Sequence, residues 1–388
     1  MKFIPYGKQS IDHNDISLIK EAVFSEKITT GKFVKLFEKK LQNFTDAKHV
    51  ISCSSGTAAL HLAFFAINVQ PGDTIVVPSI NFISTCNLLQ LMKAKIYLAD
   101  VDEITGQMTT QTLLKCIQTN NLKKIKAIVT MYLGGNVYKN IDFFKLKKKY
   151  NFFIIEDACH AFGSKYRYKK SIFNIGSCKH ADISTFSFHP IKSITTGEGG
   201  LMTTNSRIFF NKAKLFREHG IIRGKNHWDY KIEGPGLNYR LSDLNCALGI
   251  SQLNKIKYFL KKRENIKKKY ISSLSHLKEK KLIKFLPELS ENYSSNHLFI
   301  ININFKKIKK TKKNFFDYML RNKIYCQYHY IPIYKFKNFK NLKFNMFKSE
   351  KYFTNSVSLP IFFNLDNKKQ DKVIKFLNNY FKKNEIKN

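Results

Sequence analysis

Residues 49–60 of this chain read HVISCSSGTAAL, and this stretch decides the fold. Its first five residues predict a short strand, a small hydroxylated turn follows, and the apolar segment from residue 57 to 67 predicts a helix. The same alternation repeats along the chain. Further strands are predicted at residues 74–77, 95–98, 127–131 and 152–155, and further helices at residues 82–92, 112–118 and 143–150. Such βαβ units indicate an α/β domain with a mainly parallel sheet.

The pattern changes after residue 200. Two helices are predicted first, and the second is long enough to bridge two domains. A compact β-α-β unit and two C-terminal helices then complete a smaller α/β domain. These segments are residues 207–218 and 241–264, then 298–303, 312–321 and 325–330, then 349–355 and 367–381. We therefore predict a large domain over residues 14–250. Residues 251–388, together with residues 1–13, are predicted to form a small C-terminal domain.

The charge of the chain is unusual. Its 388 residues include 67 Lys and Arg against 28 Asp and Glu, a net charge of +39, while 43% of residues are hydrophobic. The apolar content is ample for a core and excludes a disordered chain. A basic chain suggests nucleic acid as a partner, but nucleic-acid readers rely on arginine, and only seven of these basic residues are Arg. Lysine spread evenly along the chain favours a compositional bias, so no nucleic-acid partner is expected.

The cysteines and the apolar runs bear on the location of the protein. Seven cysteines are scattered and never spaced as C-x-x-C, which favours neither a disulfide framework nor a metal site. The N-terminus has no apolar core of a signal peptide, and no uncharged apolar run approaches the length of a membrane span. The sequence therefore predicts a cytoplasmic protein with no membrane partner and no metal.

Two clusters of polar residues follow predicted strands, where ligands of parallel sheets bind. In residues 54–60, SSGTAAL, backbone N–H groups and hydroxyls are suited to hold a phosphate, although an ordinary helix cap explains them as well. In residues 153–161, FIIEDACHA, a strand ends in two carboxylates. Such a carboxylate can hold a protonated ring nitrogen, bind a metal or cap a helix, and His160 is as readily a core histidine as a functional one.

Two further clusters come later in the chain. Residues 184–200, STFSFHPIKSITTGEGG, place Lys192 among apolar and hydroxylated residues ahead of a glycine-rich turn. A desolvated lysine has a lowered pKa and can act as a nucleophilic amine, whereas one lysine among 60 can equally be a surface residue. Residues 234–243, GPGLNYRLSD, predict a tight turn followed by a capped helix.

Taken together, the four clusters resemble a known family. Their order along the chain, a phosphate loop, then a carboxylate and then a lysine, resembles the order in pyridoxal-phosphate enzymes of the aspartate-aminotransferase type. The motifs SGTAAL, EDACHA, SFHPxKxITTGEGG and NxR resemble more closely the DegT/DnrJ/EryC family of nucleotide-sugar aminotransferases. This resemblance extends from Tyr6 to the C-terminal helices. It implies fold type I of the PLP-dependent transferases and a homodimer with shared active sites.

The resemblance assigns a role to individual residues. Lys192 is expected to bind pyridoxal 5′-phosphate covalently, and Asp157 to pair with its ring nitrogen; these two are the expected catalytic residues. Phe82 is expected to stack on the ring, and His160 to lie near the ring hydroxyl. The cofactor phosphate is expected to contact Ser55, Gly56, Thr57 and Ser187, with Asn238 reaching the cofactor of the partner subunit.

The resemblance also implies a substrate. Segments 5–7 and 25–31 resemble the sugar-nucleotide contacts of the family. Segments 294–298 and 327–334 resemble the branch of the family that acts in pseudaminic acid biosynthesis. The residues expected to contact the sugar nucleotide are Tyr6, Lys27, Ile28, Thr29, His329 and Tyr330. The implied reaction moves the amino group of L-glutamate to C4 of a UDP-linked 4-keto-6-deoxy sugar. Alternatives are an aminotransferase for perosamine, 4-amino-arabinose or a bacillosamine-type sugar, a dehydratase, which the presence of Lys192 disfavours, and a basic nucleic-acid-binding protein.

Overall fold

The computed structural model describes residues 3–138, 141–226, 228–342 and 345–385. The strands are β1 His49–Cys53, β2 Thr74–Pro78, β3 Lys95–Ala99, β4 Ala127–Met131, β5 Phe153–Asp157, β6 Lys165–Tyr168, β7 Ser171–Asn174, β8 Ile183–Ser187, β9 Gly200–Thr204, β10 Ile221–Arg223, β11 Tyr230–Ile232, β12 Ile283–Phe285, β13 Phe299–Ile303 and β14 Ser356–Leu359. The helices are α1 His13–Val23, α2 Lys32–Thr45, α3 Gly56–Ala66, α4 Ser84–Leu91, α5 Thr110–Thr119, α6 Asp142–Tyr150, α7 Arg207–Arg217, α8 Asp243–Asn254, α9 Ile256–Ser273, α10 Ser275–Glu279, α11 Lys312–Arg321, α12 Phe347–Asn355 and α13 Asn367–Glu385.

A large sheet organises the first two thirds of the chain. Within the described residues it has seven strands in the order β1-β9-β8-β5-β4-β2-β3. Strand β9 runs antiparallel to both of its neighbours, and the other pairs are parallel. The α/β class and the mainly parallel sheet predicted from the sequence are confirmed, and strands β1 to β5 begin within one residue of their predicted starts.

Helices cover both faces of this sheet and bury its apolar side chains. Helix α3 packs against β8 and β9, and most of its residues are buried because they are apolar on every side. A parallel sheet that is covered on both faces requires strands that are apolar on both sides, and β4 is buried at all five positions. The residues that follow the strands are therefore the ones free to carry chemistry.

A second apolar core lies in the C-terminal part of the chain. The antiparallel strands β12, β13 and β14 form a sheet, and α9, α11 and α13 contribute Tyr270, Phe315 and Leu377 to the same cluster. The N-terminal Ile4 is also part of this cluster. The division into two domains stays a prediction, and its boundary at residues 250 and 251 lies inside α8.

The structure corrects two elements predicted from the sequence. The single helix predicted over residues 241–264 is two helices, because the Lys255 N–H bonds to the Gln252 carbonyl at 3.1 Å in a tighter turn. Residues 325–330 do not form the last strand of a β-α-β unit. Gln327 makes only an isolated bridge to Ser358, and β12 and β14 supply the neighbours of β13.

In the part of the chain that the structure describes, no helix is both long enough and apolar enough to span a membrane.

Candidate active site

A cavity of about 290 Å³ opens where β1, β4, β5 and β8 end. It is the place that the strand topology predicts for a ligand, because the carboxyl ends of parallel strands meet at one edge of the sheet. The cavity brings together most of the residues that the sequence analysis selected. They are Tyr6, Ser55, Gly56, Thr57, Phe82, Asp157, His160, Ser187, Lys192, His329 and Tyr330.

One end of the cavity is a cradle at the start of α3. Ser55 caps the helix by accepting from the Ala58 N–H at 3.0 Å, and the other N–H groups of the first turn have no partner within the helix. A Cβ added at Gly56 would lie 2.8 Å from the Ser187 Cβ, so the loop can approach β8 this closely only with glycine. Hydroxyls and free N–H groups converge here on a space suited to an anion.

Only one of the two carboxylates at the end of β5 faces the cavity. Successive strand residues point to opposite sides of a sheet. Glu156 therefore points away from the cavity, where it accepts from the hydroxyls of Tyr132 and Ser184. Asp157 is buried at the cavity, where burial raises the pKa of its carboxyl, opposed by hydrogen bonds from Cys159 and by the charge of Lys192. The structure thus places Asp157, and not Glu156, beside a ligand.

Lys192 lies in a tight loop between β8 and β9. Its backbone N–H bonds to the His189 carbonyl at 2.9 Å, and the Phe188 carbonyl accepts from the Thr196 N–H at 3.0 Å and the Thr195 hydroxyl at 2.9 Å. Burial lowers the pKa of the Lys192 amine, opposed by Cys159 and Asp157. A lowered pKa makes the neutral amine easier to reach, and nucleophilic and proton-transfer chemistry both require that form.

Aromatic rings also line the cavity, and they include those of Tyr6, Phe82, His329 and Tyr330. The Tyr330 hydroxyl lies 2.8 Å from His160 Nε2, and the Tyr330 ring centroid is 5.7 Å from that of Phe82. His329 lies behind them, with its Nδ1 2.9 Å from the Ser358 hydroxyl and its ring 5.7 Å from Tyr6. Burial lowers the pKa of His329 to about 3, so its imidazole is neutral.

Four residues selected from the sequence lie outside this cavity. Lys27, Ile28 and Thr29 are exposed, and the Ile28 carbonyl accepts from the Asp243 N–H at 2.9 Å at the start of α8. Asn238 is also exposed, in a bridge with Glu218. Within one chain, these residues do not contribute to the site that contains Lys192.

The cavity also has residues that the sequence analysis did not select. They are Ser84, Met131, Cys159, His189, Ile191 and Glu198. His189, Ile191 and Glu198 lie inside the motif of Lys192, and Cys159 lies inside that of Asp157. Their closeness in sequence to these two residues was therefore a usable signal. Met131 ends β4 and could have been selected by the rule that pointed to Asp157. His297 lies beneath His160 with ring centroids 4.4 Å apart, a contact between distant segments that no local pattern indicates.

The residues of the cavity fit pyridoxal 5′-phosphate. The cradle at Gly56, which an added Cβ would fill, is suited to the phosphate. The buried Asp157 is suited to a protonated pyridine nitrogen, and Lys192 to an aldehyde. A phosphate cradle, a carboxylate and an amine are the groups that this cofactor requires, and all three lie in one cavity.

Comparison with known proteins points to the same chemistry. The profile of the DegT/DnrJ/EryC1/StrS aminotransferase family matches residues 9–378. The UDP-4-amino-4,6-dideoxy-N-acetyl-beta-L-altrosamine transaminase of Campylobacter jejuni subsp. jejuni serotype O:23/36 (strain 81-176) is 35% identical over 368 residues, 92% of either chain.

Solved structures are similar over almost the whole chain. Helicobacter pylori PseC, an aminotransferase involved in the biosynthesis of pseudoaminic acid, superposes with a TM-score of 0.88 at 30% identity, over 98% of this chain and 100% of that one. Spr1654 from Streptococcus pneumoniae in its PLP form has a TM-score of 0.86 at 26% identity, over 96% of this chain and 97% of that one.

Proposed function

The chain belongs to the DegT/DnrJ/EryC1/StrS aminotransferase family, and from this premise we propose that it moves the amino group of L-glutamate to C4 of a UDP-linked 4-keto-6-deoxy sugar. The cofactor is pyridoxal 5′-phosphate. The observation that carries the proposal is that Lys192, Asp157 and Ser187 line one cavity, in the order and spacing of the family motifs.

The proposed acceptor is UDP-2-acetamido-2,6-dideoxy-beta-L-arabino-hexos-4-ulose, an intermediate of pseudaminic acid biosynthesis. Support comes from the 35% identity to a transaminase named for the corresponding aminated sugar and from the likeness to PseC. His329 and Tyr330, which resemble the same branch, lie in the cavity with Lys192.

When bound, pyridoxal 5′-phosphate supplies an electron sink and carries the amino group between the two substrates. The protein supplies position and proton transfer. Lys192 takes the α-proton of glutamate and returns a proton to C4 of the sugar, and its lowered pKa suits an amine that must both accept and donate. Asp157 would hold the proton of the ring nitrogen by charge pairing. The hydroxyls of Ser55 and Ser187 would hold the phosphate.

A homodimer with shared active sites belongs to this proposal. Asn238 and residues 27–29 are exposed and lie near the start of α8, away from the cavity of their own chain. Residues predicted to contact cofactor and substrate, but placed on the outer surface, fit a site completed by a second copy. We propose that Asn238 reaches the cofactor phosphate of the partner subunit.

A visible spectrum tests the enzyme assignment. The purified protein should be yellow, and L-glutamate should bleach it. Lys192→Ala should abolish the glutamate-dependent change, whereas the control Lys170→Ala, at an exposed lysine in the turn between β6 and β7, should leave it intact. Identical spectra for wild type and Lys192→Ala, with and without glutamate, would show that the assignment is wrong.

Mixed dimers test the sharing of the site. Asn238→Ala should weaken retention of the cofactor. Co-expression of Asn238→Ala chains with Lys192→Ala chains should restore one complete site per mixed dimer, because that site has Lys192 from one chain and Asn238 from the other. If Asn238 acts within its own chain, no mixed dimer recovers normal retention.

The sugar is tested with a panel of UDP- and dTDP-linked 4-keto sugars and glutamate as donor. The product configuration at C4, measured by NMR, distinguishes the candidates. Preference for a dTDP sugar or for a D-xylo keto-sugar would exclude the pseudaminic assignment while leaving the aminotransferase assignment in place.

A further inference from the structure

Two hydrogen bonds of His160 determine which of its ring nitrogens carries the proton. The backbone N–H of Gly134 lies 3.3 Å from His160 Nδ1. A backbone N–H can only donate, so Nδ1 must accept and carries no proton. Burial also lowers the pKa of His160 well below its usual value, so the ring is neutral. The single ring proton is therefore on Nε2.

This proton determines the role of the Tyr330 hydroxyl. Nε2 lies 2.8 Å from the Tyr330 oxygen, so the N–H donates and the hydroxyl oxygen accepts. The hydroxyl must then donate its own proton to another group. Burial raises the pKa of Tyr330 well above 10, so it keeps that proton. Among the described residues, none accepts a hydrogen bond from this hydroxyl, and Tyr330 lines the cavity with Lys192.

We infer that Tyr330 donates a hydrogen bond to the ring oxygen of the bound cofactor and that His160, which was expected to contact this oxygen, is instead the positioning residue for Tyr330. This inference rests on the proposed function. The ring oxygen is attached beside the carbon that bears the aldehyde, and the aldehyde must meet Lys192, which lines the same cavity as His160 and Tyr330. It is also anionic in the bound cofactor, so it is a strong acceptor for a neutral hydroxyl.

The surroundings hold His160 still before any ligand binds. The Ser295 hydroxyl donates to the His160 carbonyl at 2.6 Å, and the His297 ring covers one face of the imidazole. Neither ring nitrogen of His297 has a hydrogen-bond partner among the described residues. His297 therefore contacts His160 only through its ring and does not compete for the proton on His160 Nε2. The donor direction of Tyr330 is thus preset by the fold.

The test removes the hydroxyl from the protein and the oxygen from the ligand, one at a time and together. The ligands are pyridoxamine 5′-phosphate and its 3-deoxy analogue, which lacks the ring oxygen. Both are amines and cannot condense with Lys192, so dissociation constants are measured by equilibrium titration with apoprotein and need no turnover. The variants are Tyr330→Phe and His160→Leu, with Tyr352→Phe as the matched control. The Tyr352 hydroxyl donates to the His329 carbonyl at 2.9 Å and does not line the cavity.

Wild type should prefer pyridoxamine 5′-phosphate over the deoxy analogue by roughly 10-fold or more. Tyr330→Phe should remove most of this preference by weakening only the natural ligand. His160→Leu should also reduce the preference, because the hydroxyl is no longer held as a donor, and Tyr352→Phe should keep it.

Three results would overturn the inference. They are no preference in wild type, an equal loss for both ligands in Tyr330→Phe, and a preference that His160→Leu abolishes while Tyr330→Phe retains it. The last result would return the oxygen contact to His160. In a separate kinetic assay, an effect of Tyr330→Phe only on the KM of the sugar would also contradict the inference, because it would assign the hydroxyl to the sugar. If wild type binds neither ligand, the proposed function itself fails.

Discussion

Replacing Arg217 by lysine should destabilise the protein although the charge is kept. At the end of α7, the Arg217 guanidinium donates hydrogen bonds to two carboxylates and to one backbone carbonyl. Nη1 donates to Glu38 at 2.7 Å and to the Ser52 carbonyl at 3.0 Å, while Nη2 donates to Glu218 at 2.6 Å. A lysine ammonium is a single point and cannot reach acceptors on both branches of the fork.

The expected loss in the free energy of unfolding follows from the number of hydrogen bonds that Arg217 makes and from the exposure of its partners. A hydrogen bond to a charged group contributes about 1.5–3 kcal/mol when it is buried. Arg217 is 8% exposed, but Glu38 is 24% and Glu218 32% exposed, so water can replace part of each lost bond. We therefore expect Arg217→Lys to lower the free energy of unfolding by about 1–2 kcal/mol, and Arg217→Met, which leaves both carboxylates without their partner, by about 3–4 kcal/mol.

The assay is urea unfolding of the apoprotein at pH 7, followed by circular dichroism. Lys212→Met on the exposed side of the same helix is the control, and should change the free energy by less than about 0.5 kcal/mol. If Arg217→Lys is as stable as wild type, or if Arg217→Met is no worse than Arg217→Lys, the argument from fork geometry is wrong. Because the Arg217 carbonyl accepts from the Tyr239 N–H at 3.1 Å, the same variants should also loosen the segment that carries Asn238.

Two further predictions concern a glycine and a buried lysine. Gly135 has φ +85° and an added Cβ would lie 2.0 Å from the Ser295 hydroxyl oxygen, so Gly135→Ala should lower the free energy of unfolding by about 2–4 kcal/mol. The control Gly72→Ala, at φ +83° with nothing within 4 Å, should cost only about 1 kcal/mol; equal losses in urea unfolding would contradict the steric argument. Burial lowers the pKa of Lys312 to about 7, so from pH 7 to about 10 the unfolded chain binds a proton that the folded protein does not, and stability from this group rises with pH. Lys312→Met should therefore stabilise the protein most below pH 7, and this advantage should shrink by about 1–3 kcal/mol by pH 10. The change is kept this small because two aromatic rings, 4.5 and 4.9 Å from the ammonium, offset part of the cost of burying its charge. A stability difference between Lys312→Met and wild type that does not vary with pH would show that Lys312 is not desolvated.

Local features of the fold were predictable from the sequence. Strands β1 to β5 are short apolar runs bounded by glycine, proline and polar residues, and each helix between them is amphipathic or fully apolar, so periodicity alone located them. Features set by distant partners were not predictable. No local pattern indicated that β9 runs antiparallel between β1 and β8, or that residues 325–330 leave the third strand position to β14.

The candidate site also has a part that was predictable from the sequence and a part that was not. Lys192, Asp157 and the loop at Gly56 stand in compact motifs, because each lies at the end of a strand or within a few residues after it, at the edge of the sheet. The partners of these residues come from elsewhere in the chain. Tyr330 meets His160 across 170 residues. Without the family resemblance, the residues of β5 do not distinguish Glu156 from Asp157, and the structure distinguishes them by the face of β5 that lies against the cavity.

The sequence by itself determined the α/β class, the family resemblance and the positions of the lysine, the carboxylate and the phosphate loop. These follow from short-range patterns, since a strand, a turn and a helix cap each depend on neighbours within a few residues. Only the tertiary structure decided which nitrogen of His160 carries the proton and therefore that the Tyr330 hydroxyl is a donor, because hydrogen-bond direction depends on the partner at both ends, and here one partner is the backbone of Gly134.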